Sequence, residues 1–220
     1  MAQLITFDHI EKAIALTPFN SVRAQSRMFP RPRGGQERDI PPKQAAVLML
    51  LYPEIDDRIH VVLTLRNAGL RGHSGQVSFP GGKQDPDDPS FTATALRETC
   101  EEIGICDKHN IRVIGELEKF YIPPSHYDVY PTVAEYNGMP EFELNPAEVA
   151  EVFSFALEDM LNPKYRHAET RVIQGYTVDI PYYDVQGHKV WGATAIMLSE
   201  FEERIRQVLP TAILQKIENT

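Results

Sequence analysis

Arg97-Glu98-Thr99-Cys100-Glu101-Glu102-Ile103-Gly104-Ile105 is the stretch on which the reading of this chain turns. On a helix of ~3.6 residues per turn, positions i, i+3 and i+4 share one face, so Glu98, Glu101 and Glu102 stand together. Carboxylates crowded in this way repel one another unless positive charge sits between them. A hard divalent cation such as Mg²⁺ or Mn²⁺, which prefers oxygen ligands, relieves the repulsion. The competing reading is a solvated acidic face, the usual fate of a glutamate run.

The flanks favour a site. Upstream lies Phe79-Pro80-Gly81-Gly82-Lys83, whose adjacent glycines let the backbone turn tightly and approach a ligand closely. An acidic loop with Asp85, Asp87 and Asp88 follows. Ser90 or Thr92 then caps a helix that turns Leu96, Cys100 and Ile103 inward, behind the carboxylates. Gly104 stops it, as glycine does just past a helix C-terminus.

A glycine loop, an acidic loop and a short helix with one wet carboxylate face resemble the Nudix box. That motif belongs to enzymes that hydrolyse nucleoside diphosphates linked to another moiety. Five residues separate Gly82 from Asp88, where the box has a glutamate, and eight separate Asp88 from Arg97, where it has seven. Thr99 stands where the box is usually apolar. The stretch Leu63-Thr64-Leu65-Arg66-Asn67 through Gly82 resembles the motif that precedes the box in coenzyme A pyrophosphatases. Each element fits except Asn67, which replaces a small residue. Asn145–Val152 and Val190–Ala195 also look like segments of that subgroup, so the resemblance spans roughly residues 45 to 200.

The resemblance implies an α/β (α+β) Nudix fold, a mixed sheet sandwiched between helices. It implies Mg²⁺- or Mn²⁺-dependent hydrolysis of coenzyme A or its derivatives to adenosine 3′,5′-bisphosphate and 4′-phosphopantetheine. Catalysis and metal binding fall to Glu98, Glu101 and Glu102, with Glu102 the central ligand. The carbonyl of Gly82, or of Gly81, is a further ligand, and Arg97 orients a helix carboxylate or Asp88. Arg66 and Arg71 suit bidentate phosphate contacts, assisted by His73 or Lys83. Glu98 is shared between the roles of ligand and base, and Glu148 and Glu151 are general-base candidates. Their competing reading is a helix start, with Asn145 as cap and Pro146 in the first turn. A second substrate class, such as ADP-ribose, a dinucleotide or a nucleoside triphosphate, uses the same chemistry. A non-catalytic nucleotide-sensing module is expected to lose helix carboxylates, and all three are present.

Bulk properties agree with a soluble enzyme and decide little else. The 220 residues carry a formal charge of −9, which disfavours nucleic acid or an anionic membrane as partner. The absence of a long apolar run or a basic-then-apolar leader predicts a cytoplasmic chain acting on a small-molecule substrate. A homodimer is the expected assembly because symmetric dimers are the commonest. Cys100 and Cys106 read as reduced thiols.

Residues 1–44 are expected to form an N-terminal helix (Phe7 to Leu16) and an extended arm packed on the domain, which spans 45–220. The arm carries Arg23, Arg27, Arg31, Arg33 and Arg38, which are either solvated or in reach of an anionic ligand. Strands are expected at Ala45–Tyr52, Ile59–Arg66, Arg112–Glu118, Val129–Tyr136, Arg171–Ile173, Thr177–Tyr183 and Lys189–Trp191. Helices are expected at Pro146–Leu161, broken near Ser154, and at Ala193–Val208, the last clear element. Tyr127, Tyr130 and Trp191 are either core aromatics or a stacking surface.

Overall fold

Strand β1 (Lys43–Pro53) is central because its residues alternate between two dry faces. Ala46, Leu48 and Leu50 pack with Ala95 and Ile103 on one side. Met49 and Leu51 pack with Ile10, Ala195 and Phe201 on the other. A strand buried on both faces needs cover on both, and helices supply it. A computed structural model describes residues 4–31, 40–69, 75–173 and 175–220 of the chain.

The strand runs parallel to β7 (Tyr127–Tyr136) along one edge. Its other edge is shared by two antiparallel partners: β2 (Ile59–Arg66) at Leu51–Pro53, and β4 (Gly81–Lys83) at Ala45–Val47. At the changeover the Leu48 N–H donates to the Pro80 carbonyl at 2.9 Å. The two-residue β3 (Val77–Ser78) and β8 (Val149–Ala156) extend the sheet from β2. On the far side β5 (Ile111–Glu116) and β6 (Phe120–Ile122) pair with β7, completing eight strands. A second sheet of three strands, β9 (Arg166–Ile173), β10 (Tyr176–Val185) and β11 (His188–Trp191), lies beside it.

Helix α3 (Phe91–Ile103) covers one face of the large sheet. The other is covered by α1 (Phe7–Ile14) and α5 (Gly192–Val208), whose Ile10, Ala195, Phe201 and Ile205 are fully buried. A buried polar belt locks α5 in place. Glu202 accepts from Arg166, from Arg206 Nε at 2.8 Å and from the Tyr183 hydroxyl at 2.7 Å, with Arg27 at 3.4 Å. Glu200 accepts from Gln25 at 2.8 Å and Arg204 at 3.0 Å. Among the described residues no helix is long and apolar enough to cross a membrane.

Four expectations change. The arm contains a short helix, α2 (Ser21–Ser26), capped by the Asn20 side chain accepting from the Arg23 N–H at 2.9 Å. Its Arg27 is neither simply solvated nor free, since it engages Glu202 and Glu203, and Arg33 and Arg38 lie outside the described residues. The Pro146–Leu161 helix is instead strand β8 followed by the single turn α4 (Leu157–Leu161). Val-Ala-Glu-Val-Phe-Ser-Phe-Ala also reads as β-prone alternation, and the free edge of β2 decides between the two. A last helix, α6 (Thr211–Glu218), follows Val208; it buries only Ile217, so its apolar signal is weak.

Candidate active site

Helix α3 begins at Ser90, whose hydroxyl oxygen accepts from the Ala93 N–H at 3.1 Å, and ends at Gly104 in the left-handed conformation, φ 77°. Its buried side is in part the expected one, since Ile103 is fully buried and Leu96 packs against the core. Leu96 and Cys100 are only half-buried, whereas Thr94, Thr99 and Glu102 are fully buried. Both threonines satisfy their hydroxyls locally. Thr99 donates to the Ala95 carbonyl at 2.7 Å, and Thr94 donates to Asp88 at 2.9 Å. This explains how a hydroxyl is tolerated where an apolar residue is usual.

The cysteines are also corrected: Cys100 and Cys106 are joined in a disulfide with Cα atoms 4.5 Å apart. The left-handed turn at Gly104 brings Cys106 back onto the last turn of α3, a proximity that six residues of separation do not reveal.

Glu102 is 2 % exposed and faces the point where β1 changes partner. One of its oxygens accepts from the Gly81 N–H at 3.1 Å, and the other lies 3.4 Å from the Arg66 guanidinium at the end of β2. Burial pushes its pKa up to about 7; Gly81 and Arg66 oppose this, while Glu148 and Glu98 add to it. Glu98 is raised too, mainly by burial, with Glu101 and Glu148 contributing and Arg97 opposing. The strand beneath is glycine for a steric reason. A Cβ on Gly82 would lie 2.4 Å from the Glu98 carboxylate, and one on Gly81 would lie 2.3 Å from the Ala46 carbonyl oxygen.

Arg97 spreads its guanidinium over the rest of the cluster. It reaches both Asp88 oxygens at 2.9 and 3.1 Å, Glu98 at 2.9 Å, Glu101 at 3.1 Å and the Lys83 carbonyl at 3.2 Å. Asp88 is held well below the usual carboxylate range by these bonds, and Arg97 is held firmly protonated. So the shorter acid of the longer loop, Asp88, still meets the helix through Arg97.

Glu148 and Glu151 part company. Glu148 lies in the turn before β8 and belongs to the electrostatic surroundings of Glu98 and Glu102. Glu151 is opposite Leu65 in the ladder and lies 3.3 Å from His188. Phe153, two residues on, packs with Leu63 in the core cluster that includes α5. Side chains two apart on a strand share a face, so Glu151 belongs to the side of the sheet away from α3. The expected helix start at Asn145 is a turn, in which the Ala147 N–H donates to the Asn145 side chain at 3.1 Å. Arg66 faces Glu102, and the Lys83 side chain is exposed. Arg71 and His73 lie outside the described residues. Tyr130 stacks on Phe91, ring centroids 3.5 Å apart, and Trp191 lies under Arg171, so both rings have partners within the chain.

As arranged, no three His, Cys, Asp or Glu side chains among the described residues converge on one point, since Arg97 holds both Glu98 and Glu101. The donor set nevertheless fits a hard cation. It has carboxylate oxygens on adjacent turns, two of them (on Glu98 and Glu102) in groups whose pKa is raised chiefly by burial, and a glycine strand that leaves Glu98 room.

The NUDIX domain family model matches residues 42–176, over half of the chain. The chain belongs to the Nudix family. It is 33% identical over 193 residues to "Uncharacterized Nudix hydrolase NudL" of Photorhabdus laumondii, covering 88% of this chain and 99% of that one. It is 37% identical to "Nudix hydrolase 15, mitochondrial" of Arabidopsis thaliana, covering 71% of this chain but only 56% of that relative's length. It is 32% identical over 167 residues to "Peroxisomal coenzyme A diphosphatase ndx-8" of Caenorhabditis elegans, covering 72% of this chain and 69% of that one. The Nudix hydrolase RenU of M. smegmatis shares the fold at TM-score 0.54 and 16% identity, covering 79% of this chain and 91% of that one.

Proposed function

We propose that this Nudix protein hydrolyses the diphosphate of coenzyme A or a derivative, releasing adenosine 3′,5′-bisphosphate and 4′-phosphopantetheine. The observation that carries the reading is the placement of Glu98 and Glu102 on adjacent turns of α3 over the Gly81–Gly82 strand, where Glu102 accepts from the Gly81 N–H at 3.1 Å. The substrate class rests on the Leu63–Gly82 motif and on the similarity to a coenzyme A diphosphatase.

Glu98, Glu101 and Glu102, with the Gly82 carbonyl, would hold Mg²⁺ or Mn²⁺. When bound, the ion neutralises phosphate oxygens and lowers the pKa of water. Glu148 takes the proton of the attacking water as its oxygen adds in line to one phosphorus, while the other phosphate departs. Arg97 ties Asp88 to α3 and offsets part of the charge on Glu98 and Glu101. Arg66 balances part of the negative charge on Glu102.

The test is a panel of kcat/KM values for coenzyme A, ADP-ribose and a nucleoside triphosphate with Mg²⁺ and Mn²⁺. Coenzyme A should lead by at least about tenfold, roughly 1.4 kcal/mol of transition-state preference. Preference for ADP-ribose would keep the glutamate helix and remove the upstream motif as a guide to specificity.

A further inference from the structure

Asn67 is the residue at which the upstream motif departs from its pattern, and the structure gives the departure a purpose. Its backbone N–H donates to the Glu148 carbonyl at 2.8 Å. Its side-chain Nδ2 donates to the Pro146 carbonyl at 2.8 Å, while its Oδ1 accepts from the Gly69 N–H at 3.0 Å. All the hydrogen-bonding capacity named here is directed either at its own turn or at the turn that carries Glu148. A small side chain cannot span that gap.

The opposite side of the same turn is held by Asn145. Its backbone N–H donates to the carbonyl of Glu102 at 2.9 Å, on the last turn of α3, and its Nδ2 lies 3.3 Å from the Glu148 carboxylate. The Glu148 and Val149 N–H groups return to the Asn145 carbonyl at 3.0 and 2.9 Å. Residues 145–149 are therefore clamped between the C-terminus of α3 and the end of β2. Those two elements are also the ones joined by the Arg66–Glu102 pair. The ladder between β2 and β8 is irregular at this point, its register shifting between Leu65 and Arg66, so strand pairing alone does not fix the turn.

We infer that Asn67 is a positioning residue, which with Asn145 fixes the Glu148 carboxylate against the glutamate helix. The inference rests on the proposed role of Glu148 as the base. Asn67 touches no reacting atom; it acts by setting where Glu148 stands, and misplacement of a base by a fraction of an ångström is costly.

The test uses the full chain with Asn67→Ser, Glu148→Gln and the double variant. Serine keeps an acceptor for the Gly69 N–H and cannot reach Pro146. Two readouts are taken: hydrogen exchange across residues 145–149 in the free protein, and kcat and KM with coenzyme A. In Asn67→Ser the exchange of the Glu148 and Val149 amides should quicken about five- to tenfold, with α3 and β1 unchanged, as expected for one lost hydrogen bond. Its kcat should fall about tenfold at near-constant KM, and Asn67→Ser should add nothing in the Glu148→Gln background. Unchanged exchange in 145–149 would overturn the clamp whether or not coenzyme A is a substrate. Quickened exchange with an additive loss of kcat would overturn the action through Glu148 while leaving the base assignment standing. Full activity of Glu148→Gln would overturn the base itself and, with it, this role for Asn67.

Discussion

At Glu102 burial and chemistry pull in opposite directions. Its pKa of about 7 lies above the ordinary carboxylate value, so the folded state prefers the protonated form. The stability this contributes to the metal-free protein is fully present below about pH 4.5 and is lost as pH rises through about 7. Glu102→Gln keeps an acceptor for the Gly81 N–H and removes the charge. Without metal the variant should be more stable than wild type at pH 8, by on the order of 2 kcal/mol, and equal to it near pH 4, as urea unfolding at the two pH values will show. Equal stability at pH 8 would mean that Glu102 is already compensated in the metal-free fold. Arg97 makes the reverse case, a cation whose value is its shape. Arg97→Lys keeps the charge but cannot bridge Asp88, Glu98 and Glu101 at once. Its kcat should fall by about tenfold or more with the thermal midpoint nearly unchanged, since a bidentate arginine is not replaced by lysine. These residues were legible in the sequence because helix spacing alone groups them. The Gly81 N–H on Glu102 and the Thr94 hydroxyl on Asp88 were not, because each bond depends on how strand and loop return to the helix.

Among the elements, the glycine strand beneath α3 gives a paired prediction. Gly81→Ala puts a methyl group 2.3 Å from a backbone oxygen of β1, at φ 152°, where nothing flexible can move aside. It should destabilise the fold by about 3 kcal/mol or more, measured by denaturant unfolding. The atoms nearest a methyl group in Gly82→Ala are the end of the Glu98 side chain, so the fold should survive while kcat falls as Glu98 is displaced. Comparable stability for the two variants would contradict the steric account. Element boundaries were readable where a local signal marks them, as at Ser90 and Gly104. They were not readable at Val149–Ala156, whose spacing satisfies both periods until β2 offers an edge. Nor does local spacing announce the Cys100–Cys106 bond, which depends on a left-handed turn.

The whole molecule is held together across α5, and the hinge of that assembly is Glu202, buried with Arg27, Arg166, Arg206 and the Tyr183 hydroxyl around it. Glu202→Leu leaves Arg166 and the Tyr183 hydroxyl without their carboxylate, while Arg27 keeps Glu203 and Arg206 keeps Glu218; it should cost about 3 kcal/mol, lowering the thermal midpoint without altering KM in whatever fraction remains folded. The layered sheet was foreseeable from the Nudix resemblance and from strand-like apolar runs interleaved with helical segments. The buried ionic belt was not, because Glu202 looks like any helix glutamate until Arg27 and Arg166 arrive from distant segments. The account as a whole stands on the claim that the glutamate helix cleaves a diphosphate. Its most direct test is to quantify adenosine 3′,5′-bisphosphate formed from coenzyme A by wild type and by Glu102→Gln, with and without Mn²⁺. The account predicts Mn²⁺-dependent product from wild type and a loss of about a hundredfold or more in the variant, the range in which removal of a key charged group falls. Equal product from both proteins, or product that forms equally well without the ion, would contradict it.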